Sequence, residues 1–155
     1  MHMITDFEYL PVPAAELDRI RCNGHDDHGN PLVARTAGDG APLRCCLRLS
    51  TPGEEIALIA YQPSPLGGPY AETGPVFIHR SECPGFSGDG FPADFLERRA
   101  VLRPYDVAGQ MLDGVVAEPG TSEGELKRLF DDPEVALVHV RNVIAGCWNF
   151  SVRRA

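Results

Sequence analysis

The chain has 155 residues, 43% of them hydrophobic and 23% charged, which is typical of a globular domain and not of a disordered or fibrous protein. The longest apolar runs, residues 56–61 and 135–140, are far shorter than the roughly 20 residues that span a bilayer, so we expect no membrane partner. A net charge of −8 without any dense basic segment argues against a nucleic-acid partner.

The cysteines number five, an odd count, and the first twenty residues include the acidic residues Asp6, Glu8, Glu16 and Asp18. A start of this kind lacks the basic and apolar regions of a secretory signal, which favours a reducing compartment and free thiols. We therefore expect a cytoplasmic protein that forms a single domain over residues 1–155.

The first predicted helix covers residues 13–20 and follows an extended start. Leu17 and Ile20 share one face of this helix, and Asn23-Gly24 is typical of its end. A loop is predicted from residue 22 to residue 31.

A half-buried strand is predicted over residues 43–49, where apolar and polar residues alternate with period two. The alternation places Cys45 and Cys46 on opposite faces, so we interpret them as one core thiol and one exposed thiol. Arg44 lies on the polar face, where it either adds positive charge to a pocket or is simply solvated.

A buried strand and a long loop are predicted next. Residues 56–61 are apolar on both faces, as in the centre of a sheet. Residues 62–75 are rich in proline and glycine, and loops of this length usually cover a site or are mobile. Another strand is predicted over residues 76–80, with Phe77 and His79 on one face.

The second half of the chain is predicted to contain two helices and three strands. Pro104 marks its strand as an edge or a bulge, because proline cannot donate to a ladder. Ser122 and Glu125 form the pattern of a capping box before an apolar helix face. The other predicted elements are a helix over 92–99 and strands over 101–107, 135–141 and 147–153. The fold class that follows is α+β, with a largely antiparallel sheet of six or seven strands and two or three helices.

The last two strands bring polar residues together. If residues 142–146 close a regular hairpin, Arg141 lies opposite Cys147 and His139 lies opposite Asn149. One face of the hairpin is then core: Ala136, Val138, Val140, Trp148, Phe150 and Val152. The other face is polar: Leu137, His139, Arg141, Cys147, Asn149, Ser151 and Arg153. This polar face either lines an anion-binding pocket with a proton-transferring histidine or is the solvated side of the sheet.

His79 and Cys83 raise the question of a metal. Zinc is one interpretation of this pair, but structural zinc takes four ligands and no second pair is evident, so we favour a core or rim histidine. The string from Cys22 to His28 lies in a polar loop, where turn chemistry is the simpler interpretation. We predict no metal and no cofactor.

Several strings resemble the bacterial family catalogued as "domain of unknown function 1203". They are Pro42 to Arg48, Pro69 to His79, Leu102 to Asp106, and Val138 to Cys147. The resemblance runs from about residue 43 to residue 155 and implies no activity. It implies that Arg44, His79, Tyr105, His139, Arg141, Asn142 and Cys147 occupy motif positions. The chain departs from the family pattern at Leu43 and Cys45, which weakens a thiol-based site on the first strand.

The leading hypothesis is a small-molecule enzyme or ligand-binding domain that acts on an anionic carboxylate or phosphate metabolite. The candidate catalytic residues are His79, His139, Tyr105 and Cys147, and the candidate ligand-binding residues are Arg44, Arg141, Asn142 and Asn149. The alternatives are a non-catalytic interaction or homodimerisation module and, third, a Cys/His metal protein. Whether the protein is an enzyme stays open.

Overall fold

The computed structural model describes residues 6–88 and 90–155, and its elements are three helices and ten short strands in these segments. The helices are α1 (Ala14–Asn23), α2 (Ala93–Leu96) and α3 (Ser122–Phe130). The strands are β1 (Phe7–Leu10), β2 (Arg35–Thr36), β3 (Pro42–Leu43), β4 (Arg48–Leu49), β5 (Glu55–Tyr61), β6 (Gly74–His79), β7 (Ala100–Tyr105), β8 (Val115–Ala117), β9 (Leu137–Arg141) and β10 (Trp148–Arg154). None of these helices is long and apolar enough to cross a membrane.

The strands form two sheets. Sheet I has the order β1-β10-β9-β7-β8, and sheet II has the order β2-β5-β6-β3-β4. All pairings are antiparallel except β3 with β6. The α+β class and the three helices are confirmed, whereas the prediction of one sheet of six or seven strands is wrong. Hydrophobic periodicity identifies strands but not their partners, so it could not divide them between two sheets.

Both sheets and the helices contribute to one apolar core. Sheet I supplies Val138, Val140 and Phe150, and sheet II supplies Ile59 and Ile78, all essentially inaccessible to solvent. The apolar faces of α1 and α3 close this core, as their helical spacing predicts.

The predicted strand over residues 43–49 is wrong in its centre. Residues 44–47 form a turn in which the backbone N–H of Leu47 donates to the carbonyl of Leu43, 3.0 Å away. Leu47 has a φ of 55°, in the left-handed region that side chains rarely adopt. The turn overrides the alternation, so Cys45 and Cys46 do not lie on opposite faces, and their Sγ atoms are 3.9 Å apart.

The predicted register of the terminal hairpin is also wrong. Arg141 pairs with Trp148 and His139 pairs with Ser151, because the pairing shifts between Trp148 and Phe150. This β-bulge, which adds Asn149 to β10, moves Trp148 from the expected core face to the face of Arg141. A bulge of one residue leaves no periodic trace in so short a strand.

Three predictions from local sequence signals have different outcomes. Strand β8 pairs only with residues 100–102 of β7, so Pro104 lies beyond the end of this pairing. The N–H that proline lacks therefore removes no hydrogen bond between β7 and β8. The capping box is wrong: Ser122 is the first helical residue, and Thr121 precedes the helix without a side-chain cap. Gly24 ends α1 in the left-handed conformation, as predicted.

The loop between β5 and β6, residues 62–73, is named here the strap. It crosses the polar face of sheet I, where Tyr70 contacts Tyr105 with ring centroids 6.2 Å apart. Gly109 lets the strap approach, because a Cβ at this position would lie 2.6 Å from the carbonyl oxygen of Gly67. The predicted loop is confirmed, and the polar face of sheet I lies beneath it.

Candidate functional site

The polar face of sheet I is buried. His139 is 1% exposed, Arg141 is 6% exposed, and Tyr105 from the neighbouring strand is 3% exposed. The rings of Tyr105 and His139 are 4.8 Å apart. Alternation along β7 and β9 directs these side chains away from Val138 and Val140 and toward the strap.

Unpartnered polar atoms concentrate on this face. Seven buried side-chain polar atoms in residues 6–88 and 90–155 have no hydrogen-bond partner, and five belong to this neighbourhood. These five are the hydroxyl of Tyr105, both ring nitrogens of His139, Nε of Arg141 and Oδ1 of Asn149. Because buried polar groups are nearly always hydrogen-bonded, their concentration here points to a polar guest or ordered water.

One carboxylate serves two arginines at the edge of this face. Nη1 of Arg141 donates to the carbonyl of Gly146 at 3.0 Å and lies 3.7 Å from Glu72 of the strap. Arg103 lies 3.5 Å from the same carboxylate. Burial and the charge of Arg103 lower the pKa of Arg141, and Glu72 opposes that shift. The two guanidinium groups and the single carboxylate leave a net positive charge.

Burial, together with the positive charges of Arg141 and Arg103, lowers the pKa of His139 to about 3. The imidazole is therefore neutral near pH 7. In this form it presents one donor and one acceptor.

Arg141 opens onto a cavity of about 220 Å³ beside the strap. Its wall includes Glu72, Cys147 and Trp148. A larger cavity of about 670 Å³ adjoins it and shares Trp148, Tyr61 and Pro63 with it. The indole of Trp148 is fixed between them, since its N–H donates to Ser151 at 3.0 Å.

The remaining hairpin candidates lie close by. The Asn149 side-chain amide donates to Oδ1 of Asn142 at 3.0 Å, which joins the bulge to the hairpin loop. Cys147 lies in the cavity wall with Arg141. The sequence predicts these residues near Arg141, although not in the register that the bulge imposes.

Arg44 lies behind the cavity wall, buried in the protein interior. Its Nε donates to the carbonyl of Trp148 at 2.9 Å, and its Nη1 donates to the carbonyl of Pro42 at 2.6 Å. Burial lowers its pKa to about 10, which leaves it charged near neutral pH. The structure therefore shows Arg44 binding backbone carbonyls and does not place it in the wall of the Arg141 cavity.

His79 does not line the Arg141 cavity either. It lies at the end of β6 beside three cysteines, and we name this group the cysteine–histidine cluster: Cys45, Cys46, His79 and Cys83. Each residue offers one ligand atom, and these four atoms lie within 4.8 Å of one another. The group has the donor types that bind thiophilic metal ions.

A network of polar side chains contacts the imidazole of His79 on its Nε2 side. Its Nδ1 faces the sulfurs, 3.3 Å from Cys45 and 3.8 Å from Cys46, while its Nε2 lies 3.0 Å from the Glu54 carboxylate. Arg48 donates to Glu54 at 2.8 Å, and the pKa of Glu54 is lowered to about 2, chiefly by this bond. The carboxylate is therefore ionised, and it is the nearer of two groups at Nε2, since Nη2 of Arg48 lies 3.3 Å from the same nitrogen.

Sequence reasoning misses three residues that shape these sites: Glu72, Trp148 and Glu54. Glu72 carries a usable signal, because it is the only charged residue between 62 and 75. The position of Trp148 is not predicted, because the bulge reverses the face on which this side chain lies. Glu54 lies between the predicted strands over 43–49 and 56–61, and nothing in the sequence connects it with His79, which is 25 residues away.

A family model described as "Protein of unknown function (DUF1203)" matches residues 40–154, well over half of the chain. The match covers Arg141 and its cavity, the strap and the whole cysteine–histidine cluster. No curated protein and no solved structure matches the chain.

Proposed function

We propose that this chain, which belongs to the DUF1203 family, binds a small anionic metabolite at Arg141, beneath the strap. The observation that carries the proposal is a buried guanidinium that faces a cavity and keeps Nε without a partner in the described residues. Arginine presents several donors in a fixed fork that matches carboxylate and phosphate oxygens.

Local charge supports an anion. Arg103 and Arg141 share Glu72, whose side chain is 53% exposed and reaches both only at 3.5 Å or more. A guest carboxylate or phosphate would neutralise the remaining positive charge with shorter bonds. Glu72 would then move toward solvent, which its exposed position on the strap allows.

Cavity size narrows the class of guest. A volume of about 220 Å³ holds about seven water molecules at the ~30 Å³ that each occupies in the liquid. This space suits phosphate or a short-chain acid and is too small for a nucleotide. An acid with an apolar tail would extend past Trp148 into the adjoining cavity, whose wall is mostly apolar.

The neighbouring residues bind and orient in this proposal. Neutral His139 and the Tyr105 hydroxyl supply hydrogen bonds beside Arg141, and Asn149 supplies an amide oxygen. Cys147 in the cavity wall is the candidate nucleophile if the guest is transformed. His79 and Arg44 do not line this cavity, and Arg44 only holds the backbone of Trp148 in its wall.

A thermal-shift screen with inorganic phosphate, sulfate and short carboxylates of increasing chain length tests the proposal. A ligand at a hundred times its Kd stabilises by about 2.7 kcal/mol. For a chain of this size that is a rise in Tm of roughly 5–10 °C. Arg141→Met removes the charge while keeping most of the side-chain volume, and we expect it to abolish the rise.

Arg99→Met is the matched control, because Arg99 forms an exposed ion pair with Glu118 and should leave the rise intact. If Arg141→Met does not fold, Arg103→Gln supplies a second variant, with a smaller rise expected. No stabilisation of the wild type by any anion, or equal stabilisation of wild type and Arg141→Met, would remove the proposal.

The interaction module is the second candidate, and one surface favours it. Val107, Met111, Leu112 and Val116 are exposed hydrophobic residues beside the short edge strand β8, with Val107 80% exposed. Light scattering over a dilution series tests this candidate. A dimer that persists on dilution and dissociates in Val116→Lys would support it, and a monomer at all concentrations would reject homodimerisation through this surface.

A further inference from the structure

The ligand atoms of the cysteine–histidine cluster have the spacing of a tetrahedral metal site. Zinc–sulfur bonds of about 2.3 Å and zinc–nitrogen bonds of about 2.0 Å give tetrahedral edges of about 3.8 Å between sulfurs and about 3.5 Å between sulfur and nitrogen. The Sγ atoms of Cys45 and Cys46 are 3.9 Å apart, and Nδ1 of His79 lies 3.3 and 3.8 Å from them. Cys83 completes the four within 4.8 Å.

The local fold directs these atoms inward. The turn over residues 44–47, with Leu47 in the left-handed conformation, presents two consecutive cysteines on the same side. The backbone N–H of His79 donates to Sγ of Cys45 at 3.3 Å, which stabilises negative charge on this sulfur. Cys83 then follows His79 by four residues, in the loop after β6.

Glu54 orients the imidazole as a ligand. Nε2 lies 3.0 Å from the carboxylate, which only accepts, and 3.3 Å from Nη2 of Arg48, which only donates. Because the carboxylate contact is the shorter one, we assign the ring proton to Nε2, which leaves the Nδ1 lone pair directed at the sulfurs. Metal-binding histidines almost always donate their other N–H to such a partner. Arg48 and Thr51 hold Glu54 in turn, at 2.8 and 2.9 Å.

We propose that the cysteine–histidine cluster is a structural zinc site, with Nδ1 of His79 and three cysteine thiolates as its ligands. Thiolate and imidazole select zinc over calcium and magnesium, which prefer oxygen. Four protein ligands close the coordination shell, so the metal joins the 44–47 turn, β6 and the loop after it and performs no catalysis. Binding releases up to three thiol protons to solvent, and the nearby charge of Arg48 offsets the net negative complex.

Elemental analysis of the protein, purified without chelators, tests the proposal. We expect about one zinc per chain in the wild type and a loss of at least tenfold in Cys46→Ser and Cys83→Ser. Cys22→Ser is the matched control, because Cys22 is an exposed free thiol on α1 and its loss should leave the zinc content unchanged.

A second measurement covers variants that fail to fold. Wild-type protein stripped of metal and titrated with Co²⁺ should develop the visible absorption bands of tetrahedral cobalt and a thiolate-to-cobalt charge-transfer band. Glu54→Gln should weaken zinc affinity about 10–100-fold in competition with a chromophoric chelator. Glu55→Gln, a change at the neighbouring exposed carboxylate, should not.

Three results would overturn the proposal. One is wild-type protein without zinc that also gives no cobalt bands. Another is zinc retained at wild-type stoichiometry in Cys46→Ser and Cys83→Ser. The third is a metal-free native chain whose mass is lower by two hydrogens, with a disulfide between two of the cluster cysteines.

Discussion

The arginine pocket around Arg141 and the cysteine–histidine cluster collect opposite kinds of polar atom. The pocket has a positive guanidinium whose Nε is unpartnered in the described residues, beside a neutral imidazole and a phenol. The cluster brings three sulfurs and an imidazole lone pair within 4.8 Å. Charged donors fit an anion, whereas converging acceptors fit a cation. Our two proposals therefore assign guests of opposite charge to the two sheets.

The two regions also differ in how firmly their residues are held. His79 is fixed by Glu54, which accepts from Arg48 at 2.8 Å and from Thr51 at 2.9 Å. Arg141 has one backbone acceptor and a distant, half-exposed carboxylate on the strap. A preorganised shell suits a permanently bound ion that stabilises the fold. A loosely paired arginine under a loop suits a guest that enters and leaves.

The largest expected effect is the response to metal removal. A zinc ion present at a thousand times its Kd stabilises the folded state by about 4.1 kcal/mol. When a strong chelator removes the ion, the loss of this stabilisation should lower the Tm of a domain of this size by roughly 8–16 °C. Differential scanning calorimetry with and without the chelator measures the shift. Cys83→Ser should respond to the chelator by less than a quarter of that shift, and an unchanged wild-type Tm would contradict a structural role.

The second-largest expected effect is a loss of folding stability on acidification, caused by His139 beside the arginine pocket. Its folded-state pKa of about 3 lies below the unfolded value of about 6.5. Below pH 6.5 the unfolded chain therefore binds more protons at this residue, and the folded state loses stability as the pH falls toward 3. At pH 5 this loss amounts to about 2 kcal/mol.

His139→Leu removes this contribution, so denaturant unfolding at pH 7 and pH 5 should show a smaller difference than in the wild type, by about 2 kcal/mol. His28→Gln, a change at an exposed histidine, is the control and should keep the wild-type difference. Equal differences in wild type and His139→Leu would show that His139 titrates normally and is not buried as described.

Parts of both sites can be predicted from the sequence. The prediction fails where a bulge or a turn overrides the hydrophobic periodicity. The sequence predicts β5, β6, the loop between them and the two terminal strands, because their apolar patterns are long and bounded by turn residues. It also predicts that His139 and Arg141 share a face, since alternation alone decides this. It misses the Trp148 position because one bulge residue reverses the alternation in β10.

The cysteine–histidine cluster shows the same limit more sharply. Its members come from residues 45–46, 79 and 83, and only the parallel pairing of Leu43 with Phe77 brings the first pair beside the second. The alternating pattern over 43–49 predicts a strand, and a strand separates Cys45 from Cys46. The turn that joins them depends on a leucine at a φ of 55°, a conformation that no sequence rule assigns to leucine.

The smallest expected effect is a change in anion affinity, and it tests whether Glu72 pairs only weakly with Arg141. In the proposed site Glu72 would compete with an incoming anion for Arg141, but its side chain is half exposed, and exposed ion pairs contribute only about 0.2–1 kcal/mol. Glu72→Gln removes the competing charge and keeps the shape of the side chain. Phosphate affinity, measured by calorimetric titration at low salt, should rise about twofold to fivefold, and the gain should shrink at high salt because exposed charges are screened.

Glu118→Gln is the control, because it removes a carboxylate of similar exposure that pairs with Arg99, and it should change the phosphate affinity by less than twofold. A weaker affinity in Glu72→Gln would mean that the carboxylate helps to hold the guest, and the strap would then be part of the binding site instead of a competitor for it.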